Sequence, residues 1–140
     1  MTVESFERAL MAGLLAGDDP ELAALREQYE VAIVKDREMT ESGFVTWFDI
    51  PSSAAPIERK LLHLDDLQVE LEGADTPVDV SLEVHKGRLH KLECFVYEGL
   101  FPESPVIRAA WYYGTEKHDG ITPELMAERD VDELLDEDDE

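Results

Sequence analysis

Little in this chain is basic, and almost nothing in it is a thiol. Twelve Lys and Arg stand against 34 Asp and Glu, a net charge of −22 over 140 residues. Nucleic acid and anionic membranes bind through positive charge that replaces their counterions, so the scarcity of cations argues against both as partners. The same surface attracts basic proteins or cations, and it also suits a high-salt or acid-tolerant setting. A single cysteine excludes an internal disulfide framework and agrees with a reducing compartment. The longest apolar segment, "ALMAGLL", is too short to span a bilayer. Glu4 and Glu7 stand where a secretory leader carries Lys or Arg, so the expected location is the cytoplasm. Also missing are a Gly-rich phosphate loop after a strand, a nucleophile-elbow serine motif, an HExxH helix and any paired-cysteine motif.

What is present organises into an α+β pattern. Val3, Phe6, Leu10 and Leu14 recur at helical spacing over residues 2 to 16, and Gly17 marks a stop. Asp18 and Asp19 can cap a second helix, with Pro20 in its first turn and Glu21 three residues after Asp18 as in a capping box. Its apolar stripe of Leu22, Leu25, Tyr29 and Ile33 predicts a helix running to about Arg37. Gly43 then breaks the pattern, and "FVTWFDI" is a strand apolar on both faces, which calls for a central or covered position. "IERKLLHL" is ambiguous between a short strand and a helical turn.

"LQVELEG" alternates with Leu67, Val69 and Leu71 inward, and Val78, Val80, Leu82 and Val84 form a second inward row. Lys86-Gly87 supplies a hairpin turn. On the return strand Leu89 is inward, but Leu92, Cys94 and Val96 are one position out of phase, which predicts a bulge near His90 or Lys91. "VIRAAWYYG" adds a last strand. Thr122 and Pro123 start a further helix in which Leu125, Met126, Val131, Leu134 and Leu135 face the core or a partner. Residues 124 to 140 hold ten acids and one Arg, a net −9 that leaves −13 for residues 1 to 123. Composition therefore divides the chain into an α+β domain, 1–123, and an acidic helix and disordered tail, 124–140, whose end from residue 130 is expected to be dispensable for folding.

Chemistry is most strongly suggested by "HKGRLHKLECFVYEGLFPE", residues 85 to 103. A zinc site needs about four converging ligands. His85, His90 and Cys94 are close in sequence, but the bulge separates their faces and Cys94 falls in the apolar row, where a thiol acts as a small hydrophobe. No metal, cofactor or catalytic residue is assigned. Glu70, Glu72, Glu83 and Glu93 read as the solvated face of a sheet rather than as an acid–base pair.

The aromatic residues point further. Trp111, Tyr112 and Tyr113 cannot all turn inward on one strand, so at least one ring is exposed or covered by the tail. An exposed aromatic among acids suits a protein interface. The candidate partner-binding residues are accordingly Trp111, Tyr112 and Tyr113 with the acidic row Glu70, Glu72 and Glu83. The alternative is a ligand-binding or enzymatic pocket between helix and sheet, lined by Trp47, His63, Glu93 and Tyr97.

Two segments also resemble a group of small uncharacterised bacterial proteins. The group pattern is Gly-Phe-Phe-Thr-x-Phe-x-x-Pro followed by a Gly-x-Leu-x-x-Leu-Glu-x-x-x-Tyr hairpin and an aromatic-Pro turn. The matching residues are Gly43, Phe44, Thr46, Phe48 and Pro51, then Gly87, Leu89, Leu92, Glu93, Tyr97 and Pro102. The likeness covers roughly residues 25 to 103. Val45 departs from the second Phe and Cys94 from the more usual Gly. The group brings no established activity, and small acidic α+β proteins of this type resemble toxin-neutralising immunity proteins. The expected fold is α+β, with two N-terminal helices on one face of an antiparallel sheet of four or five strands. The expected function is a non-enzymatic module for a basic protein partner, most concretely an immunity or inhibitor protein against a nuclease toxin.

Overall fold

A computed structural model describes residues 1–74 and 76–137. Helix α1, Val3–Leu14, opens on Thr2, whose hydroxyl accepts from the Ser5 amide at 3.0 Å. Helix α2, Pro20–Val31, opens on Asp19, whose carboxylate accepts from the amides of Glu21 and Leu22. The capping box expected from Asp18 does not form, because Asp19 is the N-cap and Glu21 falls one position short, its carboxylate reaching Arg59 at 2.7 Å.

The second helix also stops short of Arg37. It ends at Val31, and Ile33–Met39 is strand β1, paired antiparallel with β2, Gly43–Asp49. The physical reason lies in what each conformation buries. Ile33 is 58% exposed, so a helical stripe continued to that position has no core to enter. Pairing with β2, in contrast, engages one edge of the segment from Ile33 to Met39, interrupted only by the register shift between Val34 and Asp36.

The remaining strands are β3, Leu61–Leu64; β4, Leu67–Leu71; β5, Asp79–His85; β6, Arg88–Phe95; and β7, Ile107–Tyr112. Five of them form one antiparallel sheet in the order β1-β2-β6-β5-β3, and β4 pairs with β7 in a second, two-stranded sheet. A bridge between Val69 and Val78 joins the two sheets. Strand β2 takes the interior position between β1 and β6, with Phe44, Thr46 and Phe48 buried. "LLHL" resolves as β3.

The β5–β6 hairpin turns on Lys86 and Gly87, both in the left-handed region (φ 54° and 77°). Glu83 pairs with Lys91 and Val84 with Leu89, so His90 is the extra residue of the bulge. That single insertion restores Leu89, Leu92 and Cys94 to one buried row. Gly43 marks a close approach, since a Cβ there would stand 1.9 Å from the Cys94 carbonyl oxygen.

The core joins Phe6, Leu10, Met11 and Leu14 of α1 and Leu22 and Leu25 of α2 to Phe44, Phe48, Leu64, Leu82, Leu92 and Cys94 of the large sheet. Phe6 meets Phe44 edge-on at 6.2 Å. Gln28 is buried in α2 with its amide fully used. It donates to the carbonyls of Ala55 and Gly87 and accepts from the Leu89 amide, each at 3.0 Å.

Two short helices follow: α3, Pro123–Met126, capped by Thr122, and α4, Val131–Glu137. Leu125, Leu134 and Leu135 are buried with the rest of the core. Packing therefore crosses the compositional boundary at residue 123. The expected disorder of the chain's extreme end falls partly on residues 138–140, outside those described.

Candidate interaction surface

The stretch that first suggested chemistry is a structural hairpin. Cys94 is fully buried, and burial, with Asp79 adding to it, pushes the thiol pKa far above its usual value. The rings of His85 and His90 stack at 4.7 Å, close to parallel. His90 is held below the ordinary imidazole range by desolvation first and then by His85, with Lys91 and Lys35 adding and Glu83 opposing. Among the described residues no group of three or more His, Cys, Asp or Glu is arranged to hold a metal ion.

The four residues expected to line a helix–sheet pocket do not line one. Phe44, Thr46 and Phe48 take the inward positions of β2, which leaves Trp47 on the opposite, solvent-facing side, across from Lys91. Glu93 and His63 share that outer face by the same alternation. Tyr97 lies beyond β6 and is 69% exposed. On the outer face Lys91 bridges Glu93 at 2.9 Å and Glu83 at 3.2 Å, and these two partners, Glu93 more strongly, raise its pKa.

The partner-binding candidates separate in the same way. Tyr112 is only 2% exposed. Its hydroxyl donates to the Gly13 carbonyl at 2.6 Å, and the Arg129 guanidinium lies 5.1 Å from its ring centre. Tyr112 is a core residue because strand alternation carries it inward with Ala110. Trp111 is half-buried beneath Lys117, whose ammonium stands 4.8 Å over the ring. Tyr113 is 72% exposed. Glu70 sits on β4, between Lys117 at 3.1 Å and Arg108 at 3.8 Å. Glu72 follows it in a turn, and Glu83 is on β5 of the other sheet. The three glutamates therefore do not make one row.

What sequence reasoning missed is the partner of Tyr112. Arg129, the single base among the tail's acids, is a buried clamp. Its guanidinium donates twice to the Asp66 carboxylate, both at 2.8 Å, and to the carbonyls of Leu14 and Ala16 at the end of α1 at 2.8 and 2.6 Å. It ties α1, the β3–β4 corner and the tail together. A second buried ion pair joins Glu7 of α1 to Arg37 of β1 through two hydrogen bonds, and the Thr46 hydroxyl also donates to Glu7. The isolated position of Arg129 in an acidic run was the available signal for the first of these.

Beside the clamp lies a cleft of about 410 Å³, lined by Asp65, Asp66, Tyr112, Tyr113, Asp130, Glu133 and Leu134. It brings together three segments distant in sequence: the β3–β4 corner, the end of β7 and the start of α4. Among the described residues Asp66 is the one acid of this group with a cation partner. Asp130 is spent in part on the Glu133 amide, which it accepts at 3.1 Å. The arrangement offers negative charge and one exposed aromatic ring, and no nucleophile with a base beside it.

No protein-family model matches this chain, and no curated protein or solved structure matches it either. The class that can be stated is an α+β fold built on antiparallel sheets. Among the described residues, no helix is long and apolar enough to cross a membrane.

Proposed function

We propose that this protein is a non-enzymatic acidic module that binds a basic protein partner, and that the contact is centred on the cleft beside Tyr113. The observation that carries this reading is the exposed Tyr113 ring next to Asp65, Asp130 and Glu133, acids with no ion pair among the described residues. An aromatic anchor with surrounding acids suits a Lys- or Arg-bearing segment, and the −22 charge of the chain steers such a partner inward. The most concrete form is an immunity or inhibitor protein that covers a basic toxin such as a nuclease. The same field keeps nucleic acid and anionic membranes away. The surface reading is favoured over the helix–sheet pocket by the placement of Trp47, His63 and Glu93 on the outer face of the large sheet and by the exposure of Tyr97.

A short Arg- and Lys-containing peptide, titrated over a salt series, tests the cleft. Binding should weaken as salt passes about 0.1 M, where screening acts over about 10 Å. Tyr113→Ser and Glu133→Ser should each weaken it, while Lys86→Ser on the remote hairpin should not. Equal binding by all variants would remove the cleft from the proposal.

A further inference from the structure

The large sheet ends in an unprotected strand. Strand β1 is hydrogen-bonded to β2 on one side, and among the described residues no backbone or side-chain bond from elsewhere reaches its main chain. Its other edge presents unused amides and carbonyls, the groups onto which an extended chain adds. The opposite edge, β3, is four residues long, against seven for β1. Exposed apolar side chains gather on the longer edge. Ile33, Val34 and Met39 of β1, with Val31 at the end of α2 just before it, are four of the ten large hydrophobic residues left exposed among those described.

We infer that the free edge of β1 is a docking site for an extended segment of a partner protein in which basic and aliphatic residues alternate. The charge pattern specifies that occupant. Asp36 and Glu38 stand opposite Trp47 and Val45, on the outer face of the sheet, while Val34 and Met39 stand opposite the inward residues Phe48 and Phe44. A strand added to this edge continues both rows. Its outward side chains meet Asp36 and Glu38, and its inward side chains meet Arg37 and Met39, with Val34 beyond the register shift. Arg37 does not compete for them, since Glu7, Glu4 and Thr46 already occupy it.

Lys35 sits at the register shift of β1 and guards one end of the edge, which leaves Asp36–Met39 as a regular ladder. A second copy of the chain is a poor occupant. In a two-fold antiparallel pair one position must face its own copy. In every register centred on the charged run Lys35–Glu38 the central charge faces its own copy, so like charges meet wherever that run is paired at its centre.

This edge is distant from the Tyr113 cleft in the topology, and the inference does not depend on it. The test is amide hydrogen exchange on the full chain, read at residues 33–39, with two short capped peptides as probes: alternating Lys and Val, and alternating Glu and Val. The Lys–Val peptide should slow exchange along β1, and the Glu–Val peptide should not. The double variant Asp36→Lys, Glu38→Lys should bind Lys–Val about tenfold more weakly, as two attractive cross-strand pairs become repulsive, and protection should pass to Glu–Val. Tyr113→Ser should leave β1 protection unchanged. Equal protection by both peptides, protection confined to other segments, or β1 protection that grows with protein concentration alone would overturn the inference.

Discussion

Cys94, Arg129 and Tyr112 show how the surroundings of a side chain decide what it does. The Cys94 thiol lies in an apolar row, so a thiol reagent should label the native protein slowly and the denatured protein fast. Cys94→Ala should cost on the order of 1 kcal/mol, measured by denaturant unfolding. Arg129 is the opposite case, a buried charge held by the Asp66 carboxylate and two carbonyls. Arg129→Met leaves Asp66 and two carbonyls without their donor and should destabilise by about 3 kcal/mol. Tyr112 carries a pH signature. Burial, opposed by Arg129 and assisted by Asp66, raises it from 10.0 to about 12, so the folded protein holds that proton more tightly than the unfolded chain does. Its contribution is whole below pH 10 and is lost as pH rises through 12. Alkaline unfolding followed by circular dichroism should therefore be less steep in Tyr112→Phe over that window.

The two elements that depart most from a local reading are β1 and α4. Ile33–Met39 continues a helical pattern in sequence, yet it gains nothing from helical burial and takes its hydrogen bonds from β2. Helix α4 has an acidic composition that reads as solvated, but its Leu134 and Leu135 close the core and the Leu135 carbonyl accepts from Arg59 at 2.8 Å. Deleting residues 130–140 should therefore destabilise the fold, by about 4 kcal/mol for two buried leucines, offset in part by relieved repulsion. Deleting residues 138–140 alone should leave the melting temperature within a few degrees of the full chain. Thermal melts of both truncations check the difference. A long deletion that melts like the full chain would mean that α4 contributes no packing.

Taken as one body, the protein combines a filled core with a surface of one dominant sign. Self-repulsion at −22 opposes compactness, so stability should rise between about 0.01 and 0.15 M salt, where the screening length falls from about 30 to 8 Å. A melting series in sodium chloride measures this. Binding to a basic partner should move the other way, slowing as the same salt is added. The opposite responses separate a field used in recognition from one that is merely tolerated.

Alternation in Leu67–Leu71 and Val78–Val84, the Lys86-Gly87 turn and the phase slip at His90 are short-range patterns, and all of them were legible in the chain itself. So was the burial of Cys94, because a residue's face on a strand follows from its parity with its neighbours. The candidate site was legible only in part. An exposed ring among Trp111, Tyr112 and Tyr113 could be anticipated, but which ring it is depends on where β4 and the tail lie. The Arg129–Asp66 clamp, the Glu7–Arg37 pair and the acidic cleft join residues from separate elements of the chain, and no local pattern encodes such a meeting. Their chemistry is supplied by residue type, whereas their proximity comes from burying one common core, a property of the whole chain at once.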